Sequence, residues 1–409
     1  MKLLSFVGTG NLKETTYCLR ERTKRTAFIQ EALCDFYPVD SAILFTTRDA
    51  KQKNYPAISA LVPDARAVHI PEGQNEAELW EIFTLVEKQV EPGDEIIFDI
   101  THGFRSLPFI AFLSSAYLRD IRKATLRGVV YGAFEARDEQ GTPIFDLSPF
   151  VGLLDWMGGV HSFMNHGDAG PLQAMIREVV ACAHKDGSQK QKPVKLAGFA
   201  NQLESFTLAT RLSQPIEAIE VAEKIIQTLP SAMEEIGHFA PPLGPVLDQI
   251  EGISQFVAPS ADTSSGISIA HLHAQRDLIR YQIERGLYMQ AVSLAREWMV
   301  TLFLFYAGDV ALWLDPRCRE AAEKAMSGGV KKRQGKVHKP TVYTPWFESL
   351  DGFETCAAVW DTISSLRNDI DHCGMRMKKT RAKRMKENVQ EVPGLLERME
   401  CAFAAGVKE

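Results

Sequence analysis

Near the end of the 409-residue chain, the run Arg367-Asn368-Asp369-Ile370-Asp371-His372 sets a guanidinium and an imidazole with four residues between them, in a stretch that reads as helix. At 3.6 residues per turn Asn368 and His372 share a face, whereas Arg367 lies about 140° of rotation from His372. A single helix therefore builds an awkward site. It is completed either by the long Arg367 side chain reaching round or by a second copy of the helix across a twofold axis. The chemistry suits a ribose phosphodiester. Cleavage there needs a base for the 2′-hydroxyl and a cation for the charge that builds on the phosphorane, and His with Arg supplies both without a metal. The spacing alone is weak, because an Arg-rich helical protein contains Arg-x4-His by chance and a solvated Arg beside a half-buried His is the plain alternative. Cys373 as a nucleophile is disfavoured, since helix neighbours point apart.

A second group of reactive and polar residues lies in the first third of the chain. Residues 2–7 form an apolar run that ends in Gly8-Thr9-Gly10-Asn11, and residues 95–100 form another that ends in Thr101-His102-Gly103-Phe104-Arg105-Ser106. Both read as strands followed by turns. Helix is expected over residues 23–37, 76–90 and from Leu107-Pro108 onward, and further strands over residues 42–47, 67–70, 126–134 and 143–147. Alternating strand and helix predicts an open parallel sheet covered on both sides, with ligands at the carboxyl ends of its strands. If the two strands are neighbours, one turn offers backbone N–H groups to a phosphate and the other adds hydroxyls, an imidazole and an Arg. A dinucleotide fingerprint is disfavoured on two counts: the first turn lacks the third glycine, and residues 46–48 are Thr-Thr-Arg where a carboxylate for a ribose would be expected.

Composition bounds the rest. Hydrophobic residues make up 45% and charged residues 24%, which excludes disordered and fibrous classes, and no apolar run reaches the ~18 residues of a membrane span. The start carries no signal-peptide pattern, and the seven scattered cysteines contain no Cys-x-x-Cys, so a reducing cytoplasm is expected and a zinc site or disulfide frame is not. The net charge of −6 weighs against nucleic acid, but its distribution weighs for it. Residues 324–339 hold six Lys or Arg and no acid, and residues 366–388 hold eight basic residues against three acidic. The segment 327–340, bounded by Gly328-Gly329 and Gly335, reads as a mobile basic loop.

Phe98-Asp99-Ile100-Thr101-His102-Gly103-Phe104-Arg105-Ser106-Leu107-Pro108, after the Gly-Thr-Gly-Asn turn, resembles the CARF sensor domain of CRISPR-associated proteins from type III systems. The resemblance implies that Gly8, Thr9, Gly10, Asn11, Thr101, His102, Gly103, Arg105 and Ser106 bind a cyclic oligoadenylate at a homodimer axis. Past Pro149 the pattern is helical. There residues 288–297 resemble the helix packed beside the catalytic motif of HEPN ribonucleases, and Arg367 to His372 resembles their Arg-x4-His motif. That resemblance makes Arg367, Asn368 and His372 the catalytic set.

The expected fold class is thus α/β plus all-α: a Rossmann-like parallel sheet (CARF) over residues 1–155, a helical connecting region over 156–265, of which residues from about 165 to 265 resemble no named family, and a helical HEPN nuclease domain over 266–409. The expected function is cyclic oligoadenylate-activated, metal-independent cleavage of single-stranded RNA in antiviral defence. It is carried out by a homodimer or higher oligomer with no membrane association and no catalytic cofactor, with cyclic tetra-adenylate as activator. Two alternatives stand beside it: a non-catalytic sensor that binds nucleic acid, and a ring nuclease that opens its own messenger.

Overall fold

The computed structural model describes residues 1–102, 106–185, 191–257, 266–373, 375 and 380–406. They form two compact units, Met1–Asp155 and Trp156–Glu409. Gly103, Phe104 and Arg105 lie outside the described residues.

The first unit contains β1 (Lys2–Val7), β2 (Thr15–Leu19), β3 (Arg22–Thr26), α1 (Ile29–Phe36), β4 (Ser41–Thr46), α2 (Arg48–Lys53), α3 (Tyr55–Ser59), β5 (Ala65–His69), α4 (Glu76–Glu87), β6 (Glu95–Asp99), α5 (Leu107–Asp120), β7 (Thr125–Gly132), β8 (Thr142–Asp146) and the start of α6 (Ser148–His166). The sheet order is β3-β2-β8-β7-β6-β1-β4-β5. Five strands, from β7 to β5, are parallel as the sequence pattern predicts. The remainder makes the sheet mixed: β8 runs antiparallel to β7, and β2 pairs antiparallel with β3. The helix expected over residues 23–37 is therefore corrected. Its first part, Thr23-Lys24-Arg25-Thr26, belongs to β3 and zips onto β2, where β-branched Thr suits a half-exposed ribbon, and the helix begins only at Ile29.

Side-chain alternation along the central strands explains why both faces are covered. Leu4 and Phe6 of β1 point into one core, where Phe6 meets Phe45 at 5.3 Å and Phe98 at 5.9 Å. Leu3 and Val7 point into the opposite core against Ile29, Leu33 and Phe36.

The second unit is helical: α7 (Gly170–Lys185), α8 (Val194–Arg211), α9 (Pro215–Phe239), α10 (Leu247–Val257), α11 (Ile269–Glu284), α12 (Tyr288–Tyr306), α13 (Pro316–Arg333), α14 (Thr344–Ser349), α15 (Phe353–Asp371), α16 (Ala382–Gln390) and α17 (Val392–Gly406). α12 is buried nearly all round over residues 291–304, and α11, α13, α15 and α17 pack about it. Phe303 on α12 sits among Tyr343, Trp346, Phe347 and Phe403, and Trp298 Nε1 donates to Leu272 O at 2.7 Å.

The basic loop expected over residues 327–340 is also corrected: α13 runs through Gly328 and Gly329 to Arg333. A glycine inside a helix costs about 1 kcal/mol against alanine, and here packing demands it. A Cβ on Gly328 would lie 2.6 Å from His338 Nδ1, and one on Gly329 would lie 2.9 Å from both Phe347 and Phe353. The glycines mark close approach, not a loop.

Candidate functional site

The chain builds β1, β4 and β5 to one side, then returns to lay β6 and β7 on the other side of β1. The strand order thus reverses between β1 and β6, where Ser5 pairs with Asp99, and open α/β sheets hold ligands in the crevice beyond such a switch point. Both turns singled out in the sequence leave the sheet there. A Cβ on Gly8 would lie 3.3 Å from His102 Cβ, so the two turns touch. Thr9, Gly10 and Asn11 are exposed beyond that contact, and open space surrounds the Cβ position of Gly10.

Beneath the crevice is a buried polar network. Asp99 is fully buried; its Oδ2 accepts from Ser5 Oγ at 2.6 Å and its Oδ1 from the Thr101 backbone N at 2.9 Å. Gln30 Nε2 donates to Ser5 Oγ at 2.9 Å, and the Gly132 N–H donates to Thr101 Oγ1 at 2.8 Å. Burial raises the Asp99 carboxyl above the usual carboxylate range, an effect that His102 and the hydrogen bonds from Ser5 and Thr101 partly offset. Burial likewise lowers the His102 imidazole, against the pull of Asp99, and burial with Asp99 nearby pushes Tyr17 up to about 12. His102 Nε2 is buried and has no hydrogen-bond partner among the described residues.

Three residues that motif reading did not single out shape this site. Asn54 Nδ2 donates to Gly8 O at 2.7 Å and Gly10 O at 3.1 Å, and Lys53 Nζ donates to Thr9 O at 2.8 Å. These turn the carbonyls of the first turn toward α2 and its end. Ser5, the third, supports Asp99 from inside the sheet. No local signal marks Lys53 or Asn54, since their partners lie more than 40 residues away. Ser106 sits at the start of α5, where its carbonyl accepts from Ile110 N and its side chain makes no cap.

The second candidate set closes α15. Phe353, Cys356, Ala357, Trp360, Ile363 and Leu366 bury one face of this helix, so the last turn emerges at its end. Asn368 and His372 are exposed, and the His372 N–H donates to Asn368 O at 3.1 Å. Arg367 is turned to Asp371, its i+4 neighbour, at 2.7 Å. The structure thus brings Asn368 and His372 onto one face and leaves Arg367 on another, engaged with a carboxylate that the sequence spacing alone could have named. Cys373 follows with φ +51°, which ends the helix. Among the described residues no cluster of three or more His, Cys, Asp or Glu could hold a metal ion, and no helix is long and apolar enough to cross a membrane.

Residues 2–135 match the family model described as CRISPR system endoribonuclease Csx1, CARF domain. Residues 152–255, which include most of the stretch without a sequence resemblance, match the model described as CRISPR-associated protein MJ1674, second domain. CRISPR-associated protein MJ1674 of Methanocaldococcus jannaschii is 28% identical over 148 residues, 35% of this chain. The chain spans only 23% of that relative's length. Among solved structures, Enterococcus italicus Csm6 bound to cyclic hexa-2′-fluoro-hexa-dAMP aligns over 100% of this chain and 95% of that chain, at 13% identity and a TM-score of 0.36.

Proposed function

We propose that this CRISPR-associated, CARF-containing protein is a type III accessory ribonuclease: it senses a cyclic oligoadenylate at the β1/β6 crevice and answers by cutting single-stranded RNA at the end of α15. The observation that carries the sensing half is the contact of Gly8 with His102 at the switch point, inside the span that matches a CARF domain. Gly8, Thr9, Gly10 and Asn11 present backbone groups to the ring phosphates, and Thr101, His102 and Ser106 close the other side; Gly103 and Arg105, which belong to the same expected ligand set, lie outside the described residues.

The cutting half rests on the exposed last turn of α15. His372 takes the proton from the ribose 2′-hydroxyl or returns one to the leaving oxygen. The 2′-oxygen attacks phosphorus, the bond to the 5′-oxygen breaks, and the products are a 2′,3′-cyclic phosphate and a 5′-hydroxyl. Arg367 neutralises the phosphorane charge, and Asn368 orients the imidazole or the phosphate. Arg367 must first leave Asp371. An exposed i,i+4 pair is worth only about 0.3–0.5 kcal/mol, so an arriving phosphate displaces it easily.

A homodimer supplies the second set of side chains. Phe109, Leu113 and Tyr117 of α5 and Ile121 just after it form an exposed ladder, which Phe83 links to the exposed Trp80 of α4; Phe150 and Leu153 of α6 are exposed as well, and Arg119 ties α5 to Asp155 of α6. A second copy of the same face covers this apolar surface in the working cytoplasmic enzyme. Messenger binding activates by favouring one packing of the helical units over another.

The test is cleavage of labelled single-stranded RNA in EDTA with cyclic tri-, tetra- or hexa-adenylate, comparing the wild type with His372→Ala. One ring size, expected to be the tetra-adenylate, switches on cutting and the variant is silent. A variant that cuts like wild type, or a wild type inert with every ring it binds, overturns the nuclease reading in favour of a binding module. His102 Nε2, without a hydrogen-bond partner among the described residues, favours one second reading, opening of the messenger in its own pocket, which mass analysis of the ring after incubation detects.

A further inference from the structure

We propose that the cleft between α13 and the 338–342 segment is a subsite for the phosphate backbone of single-stranded RNA; this rests on the ribonuclease reading and adds a site that the catalytic set does not include. The cleft encloses about 500 Å³. Its floor is one face of α13, on which Arg317, Lys324 and Lys331 recur every seventh position, close to two full turns, so they form a row about 21 Å long. Its wall carries His338, Lys339 and Thr341.

Both sides are held in place. Thr341 Oγ1 donates to Ala321 O of α13 at 3.1 Å, and the Thr341 N–H donates to Thr344 Oγ1 at 2.8 Å. His338 lies over Gly328, where no side chain larger than hydrogen fits, and its Nε2 meets Glu348 at 3.1 Å. Lys339 is therefore carried on a fixed strap.

Charge is sorted within this region. Lys332 pairs with Glu348 at 2.7 Å, Arg333 with Glu354 at 2.7 Å, Lys324 with Glu320 at 2.6 Å and Arg317 with Asp315 at 3.3 Å. Lys331 and Lys339, which face the cleft, meet no carboxylate among the described residues. Glu320 also lines the cleft and holds Lys324, so Lys331 and Lys339 are the cations offered to phosphates; the pairs of Arg317 and Lys324 are exposed and weak, and an arriving strand can extend along the row past them. Among the described residues no Phe, Tyr or Trp lines the cleft to stack a base, and the one ring there, His338, is held by Glu348, so the recognition is of backbone and independent of sequence.

The experiment is fluorescence anisotropy of the full chain with a labelled 2′-O-methyl RNA strand, which keeps the phosphates but lacks the attacking hydroxyl, across a salt series. Lys331→Ala/Lys339→Ala is compared with wild type and with Lys332→Ala, whose cation is already paired. Each lost phosphate contact lowers the slope of log affinity against log salt by about 0.7, so the double variant is expected to lose about 1.4 of slope and to bind severalfold more weakly at low salt. Lys332→Ala and cyclic oligoadenylate binding stay near wild type. Unchanged slope and affinity in the double variant overturn the subsite even if RNA is still cut, and so does a matching loss of messenger binding. A lost slope in a protein that never cuts RNA keeps the subsite and sinks the ribonuclease reading instead.

Discussion

Ser5→Ala tests the buried network that supports the crevice. The substitution removes one oxygen from a site where Ser5 and Asp99 are both fully buried, so water cannot replace the lost bond. The 2.6 Å bond to the Asp99 carboxyl is of the kind worth about 1.5–3 kcal/mol, and Gln30 Nε2, which now donates to Ser5 Oγ, is stranded at a further cost of about 1 kcal/mol. The sum is about 3 kcal/mol. For a unit of this size each kcal/mol moves the midpoint by about 2–4 °C, so the N-terminal unit is expected to melt roughly 6–12 °C lower. The assay is calorimetry of the full chain, with the transition assigned by its response to the substitution. A double-mutant cycle with Asp99→Asn should return a coupling of about 1–2 kcal/mol. A midpoint within about 2 °C of wild type, or additive effects in the cycle, refutes the reasoning, because the bond would then hold nothing together.

Two further outcomes are expected. A Cβ on Gly352 would lie 2.2 Å from the Ala402 carbonyl oxygen of α17, backbone that cannot swing aside, so Gly352→Ala is expected to cost about 3 kcal/mol, whereas Gly10→Ala, with nothing within 4 Å, should leave thermal unfolding within about 1 °C. The pH response of the first unit follows from its buried pair. The His102 imidazole is lowered from 6.5, so the unfolded chain takes up a proton that the folded chain resists, and stability is lost as pH falls below about 6.5 and through the depressed folded value. The raised Asp99 carboxyl acts in the opposite sense: its contribution is present below about pH 4 and is lost as pH rises through its folded value. His102→Asn should therefore flatten the acid limb of the melting curve below about pH 6.5; an unchanged limb sinks the assignment to His102.

Much of this protein was fixed by local pattern. Apolar runs ending in small polar turns define β1 and β6, and helical spacing with its punctuation gives the starts of α4 at Glu76 and α5 at Leu107, because period and punctuation are properties of neighbouring residues. The Thr101-His102 turn and the Arg367 to His372 run could be read for the same reason. What sequence alone could not supply depends on partners distant along the chain. The β2–β3 hairpin is stabilised by pairing with β8, which follows more than 100 residues later. Gly328 and Gly329 look like loop residues until Phe347, Phe353 and His338 fill the space above them. Asn54 and Lys53 become part of the crevice only when α2 and its end meet the turn after β1. The sequence determined most of the elements and named the candidate side chains; the tertiary structure decided which of them meet and turned part of an expected helix into β3 and part of an expected loop into α13, because packing and hydrogen bonding act on distance in space, to which position along the chain is blind.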